Sequence, residues 1–322
     1  ARMYLNAQTW INENKYQEAY TYAVKVIADG HYPLASDYRE IFLADNNTCK
    51  EIIWPLVQDG LRAQSSAGTN FYVKAFVNGP MDELYKTGVG SRGWGNVRAK
   101  VSLVDAFDAD DVMFDGNDTW GNNKKDKRAQ FMTALPNQVK DTWDVNMDMT
   151  STFTCGYGYI KWRNVTKEDE LCPSGDAYTS IDFPLFRTAD AYLMAAEAIL
   201  RGANGTQSEA LGYVNEVRTR AYMSGKYAKN GVRSDVSGEI TANELNLDFL
   251  LVERQKELAS ELTRRTDLIR FGKYTKGNNW DWKNGVRLGA DVDDKYNLFP
   301  IPESELTNNP TLVQNDGYKV IK

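Results

Sequence analysis

Apolar residues recur at a helical period towards both ends of the chain and lose any regular period in the middle. Near the N-terminus Met3, Ala7, Trp10 and Ile11 share one helical face, NENKY interrupts, and Ala19, Ala23, Val26 and Ile27 share a second. The spacing predicts two helices with Trp10 in the core. ADGHYP ends the second helix, with Gly30 as its C-terminal cap and Pro33 just beyond. A helix, a short turn and a helix within about 34 residues, with small residues where the two meet, is the tetratricopeptide pattern. The first helix starts abruptly, without a capping residue, so further sequence is expected upstream. The same spacing returns at Ala189, Leu193, Ala196 and Leu200 and, after the GANGT turn, at Ala210, Val214, Val217 and Ala221. Another helical stretch is predicted from about Leu245 to Phe271, with Leu247, Leu251, Leu258 and Leu262 as its buried stripe. Its other face interleaves Glu253, Glu257 and Glu261 with Arg254, Arg264 and Arg265, and Glu261 stands i, i+4 from Arg265. This reads as a salt-bridged, solvated face.

Between the hairpins, over residues 45–180, Gly, Asn, Asp, Thr and aromatics dominate, with only short strand-like pieces such as EIIWPLV and GYGYIKW. Trp54 and Trp162 lie in such pieces and are read as core. Loops this long inside a compact protein are either functional or disordered, and their ring content favours function. The eight Trp and eighteen Tyr exceed what a core of this size demands, and rings with polar handles suit a surface that stacks on sugar-like ligands. The tail NLFPIPESELTNNPTLVQNDGY, rich in Pro and Asn, is expected to wrap as an extended segment. The fold class is therefore mainly α: tetratricopeptide-like helical hairpins, a large loop-rich irregular insertion and an extended C-terminal tail.

Charge and chemistry remove several functions. A net charge of −6 with no basic stripe argues against a nucleic-acid partner. No run of about 18 apolar residues exists to cross a bilayer, and ARMYLNAQTW lacks the layout of a secretion signal. The single histidine, His31, sits in the turn GHYP and is read as a loop residue, which leaves little room for His-dependent metal sites or catalytic triads. Cys49, Cys155 and Cys172 form neither a CxxC pair nor a disulfide framework. DGNDTWGNNKKD and ADVDDKY hold oxygen ligands suited to calcium but not the EF-hand spacing, so no cofactor is required and a structural calcium stays open.

Five ordered blocks carry a resemblance: LFRTADAYLMAAEAILRG (residues 185–202), YVNEVRTRAY (213–222), LLVERQKELASELTRRTDLIRFGKY (250–274), NLFPIP (297–302) and NPTLVQNDGY (309–318). Together they resemble the C-terminal signature of the SusD-like (SusD/RagB) family of outer-membrane glycan-binding lipoproteins. ARMYLNA and HYPLASDYREIFLADNNTCKEIIWPL resemble that family's third helical repeat and its exit. The resemblance implies one SusD-like domain over 1–322 that lacks its N-terminal part. Residues 1–44 would be a helical repeat, 45–180 a loop-rich glycan-binding region, and 181–322 the C-terminal repeat, long helix and wrapping tail. SRGWGNVRAK (91–100) and NNWDWKNG (278–285) are similar to blocks of the branch that handles starch-like glucans. Two departures stand out. Leu262 occupies a place where the family usually carries glycine, and Asp316 replaces a common proline. By resemblance the intact protein would sit on the cell surface, held to the outer membrane by an N-terminal lipid anchor absent from this chain. It would act as a lid on a SusC-like TonB-dependent transporter and capture an oligosaccharide or polysaccharide, most plausibly an α-glucan.

Sugar binding needs flat apolar faces for the ring and fixed hydrogen-bonding groups for its hydroxyls. Asn70, Phe71 and Tyr72 follow the flexible AQSSAGT stretch, Tyr85 precedes a glycine-rich run, and Trp94 lies between Gly93 and Gly95 with Arg92 and Arg98 nearby. Trp120 in GNDTWGNN is a reserve candidate. By resemblance, Trp94 falls where starch-binding relatives present a stacking tryptophan, with Tyr72 as the best match to an upstream tyrosine, so the two are expected to form a curved aromatic platform. Each has a plainer reading. A tryptophan between glycines also suits a core plug, and alternating aromatics also make strands. Trp280 and Trp282, alternating beside Lys283, suit either a platform or packing, and the resemblance implies packing. Two other functions stay open: a peptide-binding tetratricopeptide scaffold, and a glycoside hydrolase, for which 44 acidic residues supply many coincidental pairs.

Overall fold

A computed structural model describes residues 1–112, 124–132, 156–223, 236–277, 280, 286 and 289–319. Trp120, Cys155 and Trp282 lie outside the described residues. The chain divides into two compact units, Ala1–Leu262 and Thr263–Lys322.

The first unit is built on two helical hairpins, as the apolar spacing predicts. Helices α1 (Arg2–Ile11) and α2 (Tyr16–Asp29) form one, and α7 (Thr188–Leu200) and α8 (Gln207–Met223) the other. Gly30 ends α2 in the left-handed conformation, which a residue without Cβ adopts freely. Helix α2 lies along α7, and Ala19, Ala23, Ala191, Ala195 and Ala198 line their contact with Leu5 and Met194. Small side chains there let the helix backbones approach closely. One reading fails in this region. Trp10, Ile11 and Met3 are exposed, and α1 instead turns Leu5, Asn6 and Ala7 inward. Periodicity does not separate the aromatic face from the alanine face, and Met3 and Trp10 sit on the side that the neighbouring helices leave uncovered.

Between the hairpins run strand β1 (Ile52–Leu56), short helices α3 (Thr69–Ala75), α4 (Gly79–Tyr85), α5 (Val101–Val104) and α6 (Ala109–Val112), and strands β2 (Phe131–Met132) and β3 (Gly158–Tyr159). Strand β4 (Phe183–Arg187) leads into α7 and pairs antiparallel with β1, setting Ile52 against Arg187 and Leu56 against Phe183. Trp162 is fully buried, between Phe42 and Phe183. Trp54, by contrast, is 59% exposed, because its strand has one open face and the ring lies beside Phe186 on it.

Helix α9 (Leu247–Glu257) and helix α10 (Arg264–Arg270) replace the single long helix. Ser260 and Leu262 take φ of 62° and 60° between them, and Leu262 is exposed where a buried stripe is predicted. The charged face is not solvated either. Glu253, Glu257 and Glu261 are buried, each against basic side chains. Glu261 meets Lys161 and Arg187 instead of Arg265. Periodicity locates the charges but cannot distinguish solvent from a layer of arginines arriving from distant segments.

In the second unit α10 is followed, among the described residues, by a 3₁₀ turn (Asp294–Asn297) and α11 (Glu303–Asn308), a short helix inside the tail expected to be extended. Pro302 precedes it, where its missing N–H costs nothing. The Arg265 guanidinium donates to the carbonyls of Tyr296 and Asn297 and stacks 4.1 Å from the Phe299 ring centroid. Trp280 packs edge-on to Tyr274 and donates Nε1–H to its carbonyl at 2.7 Å.

Candidate functional site

The loop-rich region folds around α3, a seven-residue helix that sorts its side chains by direction. Successive helical residues point about 100° apart, so Phe71 and Tyr72 diverge instead of alternating across a strand. Tyr72 turns inward and stacks on Trp162 and Phe183 at centroid distances of 5.3 and 5.8 Å. Phe71 turns outward and is 42% exposed. Asn70 and Lys74, one turn apart, share a third face and are buried.

The loop after α4 brings Trp94 to this helix. Asp82 in α4 accepts from the backbone N–H groups of Val89 and Gly90 and from the Thr87 hydroxyl, which turns the chain back. The next residues then run along the C-terminal end of α3. Trp94 N–H donates to the Lys74 carbonyl at 2.8 Å, Gly95 N–H to Val77 at 2.9 Å, and the N–H groups of Asn96 and Val97 to Ala75 at 2.8 Å. Carbonyls left over at the helix end are thereby satisfied. A side chain at Gly93 would place Cβ 2.5 Å from the Val77 carbonyl oxygen, so glycine is required for this approach, and Gly95 takes φ of 60°. The glycines permit close backbone contact, as the core-plug reading holds, while the indole itself stays 37% exposed. Its ring lies 6.1 Å from that of Phe71, with the planes inclined by 58°.

The third wall is the loop Cys172–Ser180. Thr69 in α3 donates to the Ile181 carbonyl at 2.7 Å, Ser174 to Tyr178 at 2.6 Å, and the Asn164 amide to Gly175 at 2.9 Å. Lys74 donates its ammonium to the Ala177 carbonyl and lies 5.8 Å from the Tyr178 ring centroid. Burial lowers the Lys74 pKa, Arg92 lowers it further, and Asp176 offsets part of this. Arg92 pairs with Asp176 at 3.0 Å across the rim. The result is a cleft of about 350 Å³ with Trp94 on its rim and Asn70, Lys74, Ser66, Ser91, Arg92 and Tyr178 around it.

Of the residues singled out from sequence, Trp94, Asn70 and Arg92 line this cleft, and Phe71 lies beside the Trp94 ring. Tyr72 is half-buried in the aromatic core, so the ring beside Trp94 belongs to Phe71 and not to the tyrosine paired with it by resemblance. Tyr85 is a core residue, 4% exposed, turned inward by α4. Arg98 is half-buried beyond the cleft lining. Lys74 and Tyr178 were missed. Lys74 could have been found from its i, i+4 relation to Asn70, and Tyr178 from the turn-rich CPSGDAYTS, which carries a ring as the Trp94 loop does.

No three His, Cys, Asp or Glu side chains group as a metal site among the described residues. In ADVDDKY, Asp293 accepts from Lys295 N–H and Asp294 from Thr275 and Lys276, while Asp291 accepts from Gly277 N–H. Cys49 and Cys172 carry free thiols. His31 is exposed beside Asp29. Among the described residues no helix is long and apolar enough to cross a membrane.

Hairpins of this kind, carrying a loop-built cleft with rings on its rim and polar groups beneath, define a helical-repeat scaffold with an aromatic surface site. The chain belongs to the SusD family, whose match covers residues 50–318. It is 32% identical over 349 residues to the starch-binding protein SusD of Bacteroides thetaiotaomicron, an alignment covering 99% of this chain and 59% of that protein. It is 25% identical to SusD-like protein P25 of Formosa agariphila, covering 97% of this chain and 57% of that protein. Among solved structures, surface glycan-binding protein A of Bacteroides thetaiotaomicron in complex with laminarihexaose superposes with a TM-score of 0.63 at 22% identity, covering 98% of this chain and 62% of that one. A SusD superfamily protein of Bacteroides fragilis gives 0.65 at 20%, covering 99% and 63%. These superpositions speak for the fold. The chain spans about three fifths of the length of the relatives it matches.

Proposed function

We propose that this chain carries part or all of a non-catalytic site for a neutral glycan, an α-glucan in particular, and that the intact protein delivers it to a SusC-like TonB-dependent transporter from a lipid-anchored position on the outer membrane. One observation carries the reading: Phe71 and Trp94 present neighbouring, exposed rings, and Trp94 lines a polar cleft. Ring faces meet the apolar faces of sugars, and the polar groups below meet hydroxyls. The 58° between the ring planes suits a chain whose successive units turn, as in an α-linked glucan, better than a flat ribbon, which wants coplanar rings. The match to a protein named for starch binding supports the same choice.

Binding, not hydrolysis, fits the placement of acids. A glycosidase needs two carboxyl groups facing one cleft, whereas no Asp or Glu lines this one among the described residues and the nearby Asp176 is tied to Arg92. Glu253, Glu257 and Glu261 serve a buried ion network. Affinity electrophoresis against starch, pullulan, dextran, levan and xylan tests the reading. Retardation on starch and pullulan is expected, with calorimetry giving about a tenfold loss of maltooligosaccharide affinity for Trp94→Ala, roughly the value of one good stacking contact. Full affinity in that variant would remove Trp94 from the site. Retardation on none of the five gels would remove the glycan.

A further inference from the structure

The cleft under Trp94 holds a polar group that its own neighbours leave unanswered. Asn70 is 1% exposed. Its amide nitrogen donates to the Ser65 carbonyl at 3.0 Å, and since that carbonyl can only accept, the amide orientation is set. Oδ1 is left buried without a hydrogen-bond partner, and Asn70 is one of the residues lining the cleft. An unmade bond of this kind carries the desolvation cost of the buried oxygen, and a ligand that donates to it recovers part of that cost on binding. One turn along α3, Lys74 spends a proton on the Ala177 carbonyl, and an ammonium has three to give.

We propose that this cleft is a subsite for the hydroxyl edge of a single neutral sugar unit, with Asn70 as the residue that selects it. The assignment rests on the glycan-binding reading above and adds what that reading leaves open, namely which part of the ligand is read and which chemistry is refused. A hydroxyl donates and accepts at once, so it answers the Asn70 carbonyl with its proton and the Lys74 ammonium with its oxygen. A carboxylate of an acidic sugar only accepts. It would be drawn to Lys74 and Arg92 but would face the Asn70 oxygen acceptor to acceptor, and an ether or deoxy carbon offers no proton at all. The volume, near the lower end for small-molecule sites, holds a unit or two instead of a chain laid lengthwise. The rings thus take the face of the glycan while the cleft takes an edge, and the edge carries the specificity, because a site built to hydrogen-bond a hydroxyl rejects the analogue lacking it.

Calorimetry with maltotetraose, each of its singly deoxygenated analogues and its C6-carboxylate form tests this on the wild type and on Asn70→Ala. On the wild type, one deoxy position is expected to lose about tenfold in affinity, and the carboxylate form to bind no better than the parent. On Asn70→Ala the parent is expected to lose about tenfold and that same deoxy analogue nothing further. If Asn70→Ala binds maltotetraose as the wild type does while Trp94→Ala fails, water answers Oδ1 and the subsite is wrong, with the platform left standing. If the wild type binds no maltotetraose, the α-glucan reading and the subsite fall together. Should Asn70→Ala not fold, the wild-type series decides alone: equal affinity for every deoxy analogue overturns the inference.

Discussion

At residue scale the most telling position outside the site is Leu262, whose φ of 60° places a branched-chain side chain in the left-handed region. That conformation costs a residue with a Cβ about 1–2 kcal/mol, and the side chain recovers little, being 73% exposed. Glycine removes the strain but adds unfolded-state entropy of about 0.5–1 kcal/mol. Leu262→Gly is therefore expected to stabilise by about 0.5–1 kcal/mol, a rise of about 1–3 °C in melting temperature by calorimetry. A fall would mean that the leucine is held by its surroundings. The departure from the family's glycine was legible in sequence, while the break between α9 and α10, which a glycine at this position would have signalled, was not. The heptad-like leucines outvoted it because periodicity sums over a window and a single strained residue does not register. The same averaging put Trp10 and Trp54 inside, whereas Trp94 and Phe71 were recognisable because rings in glycine-rich, aperiodic sequence have no stripe to join.

At the scale of elements, the site depends on how the Trp94 loop runs along the end of α3. Gly93 is the tightest point, since the atoms its Cβ would meet are backbone atoms of Val77 and Asn78 and cannot swing aside. Gly93→Ala must push the loop off the helix, break the Trp94-to-Lys74 backbone bond and move the indole from Phe71. About a tenfold or greater loss of glycan affinity is expected, with a changed tryptophan emission. Gly79→Ala is the control, because its Cβ would find only the Ser91 Cα at an ordinary 3.8 Å. Equal affinity in both variants would show that the loop tolerates displacement. This arrangement was half legible: the glycines flanking Trp94 signalled close approach, but the partner, a helix formed by TNFYVKA, reads from its alternating aromatics as a strand. The helix wins because Thr69, through Thr179, and Lys74, through Ala177, tie it to the loop 172–180 on one side and Tyr72 to the aromatic core on the other.

Across the first unit, what joins the hairpins to the loop-rich region is a buried layer of charge. Glu51 comes from the start of β1, Arg128 and Lys161 from the loop-rich region, Arg187 and Arg220 from β4 and α8, and Glu253, Glu257 and Glu261 from α9 and its exit. Glu257 is the centre, accepting from Arg187 at 2.7 Å, from Arg128 at 3.1 Å and from Arg220. Burial alone would raise its pKa, but Arg220, Arg187 and Arg128 outweigh it and hold the carboxyl well below its ordinary 4.5. Asp126 is likewise held low: Arg128 and Lys256 overcome its burial. A carboxyl with a depressed folded pKa contributes stability that is fully present above its unfolded value. That contribution drains away as pH falls below it, because the unfolded chain then takes up protons the folded one refuses. The melting temperature is expected to hold on the neutral side of pH 4.5 and to drop steeply below it. Glu257→Gln keeps the shape but takes from the layer the one carboxylate that Arg187, Arg220 and Arg128 share, leaving Arg187 with Glu51 and Glu261, Arg220 with Glu51 and Arg128 with Asp126 and Glu253. The buried layer is then one negative charge short, so the variant should destabilise by about 3–5 kcal/mol at pH 7, as removing one partner from a buried ion network does. It should also flatten the acid limb, since one of the strongly shifted groups is gone. A variant that melts like the wild type at both pH 7 and pH 4 would show that the arginines are neutralised elsewhere. The layer would then not be what fastens the loop-rich region to the helical hairpins.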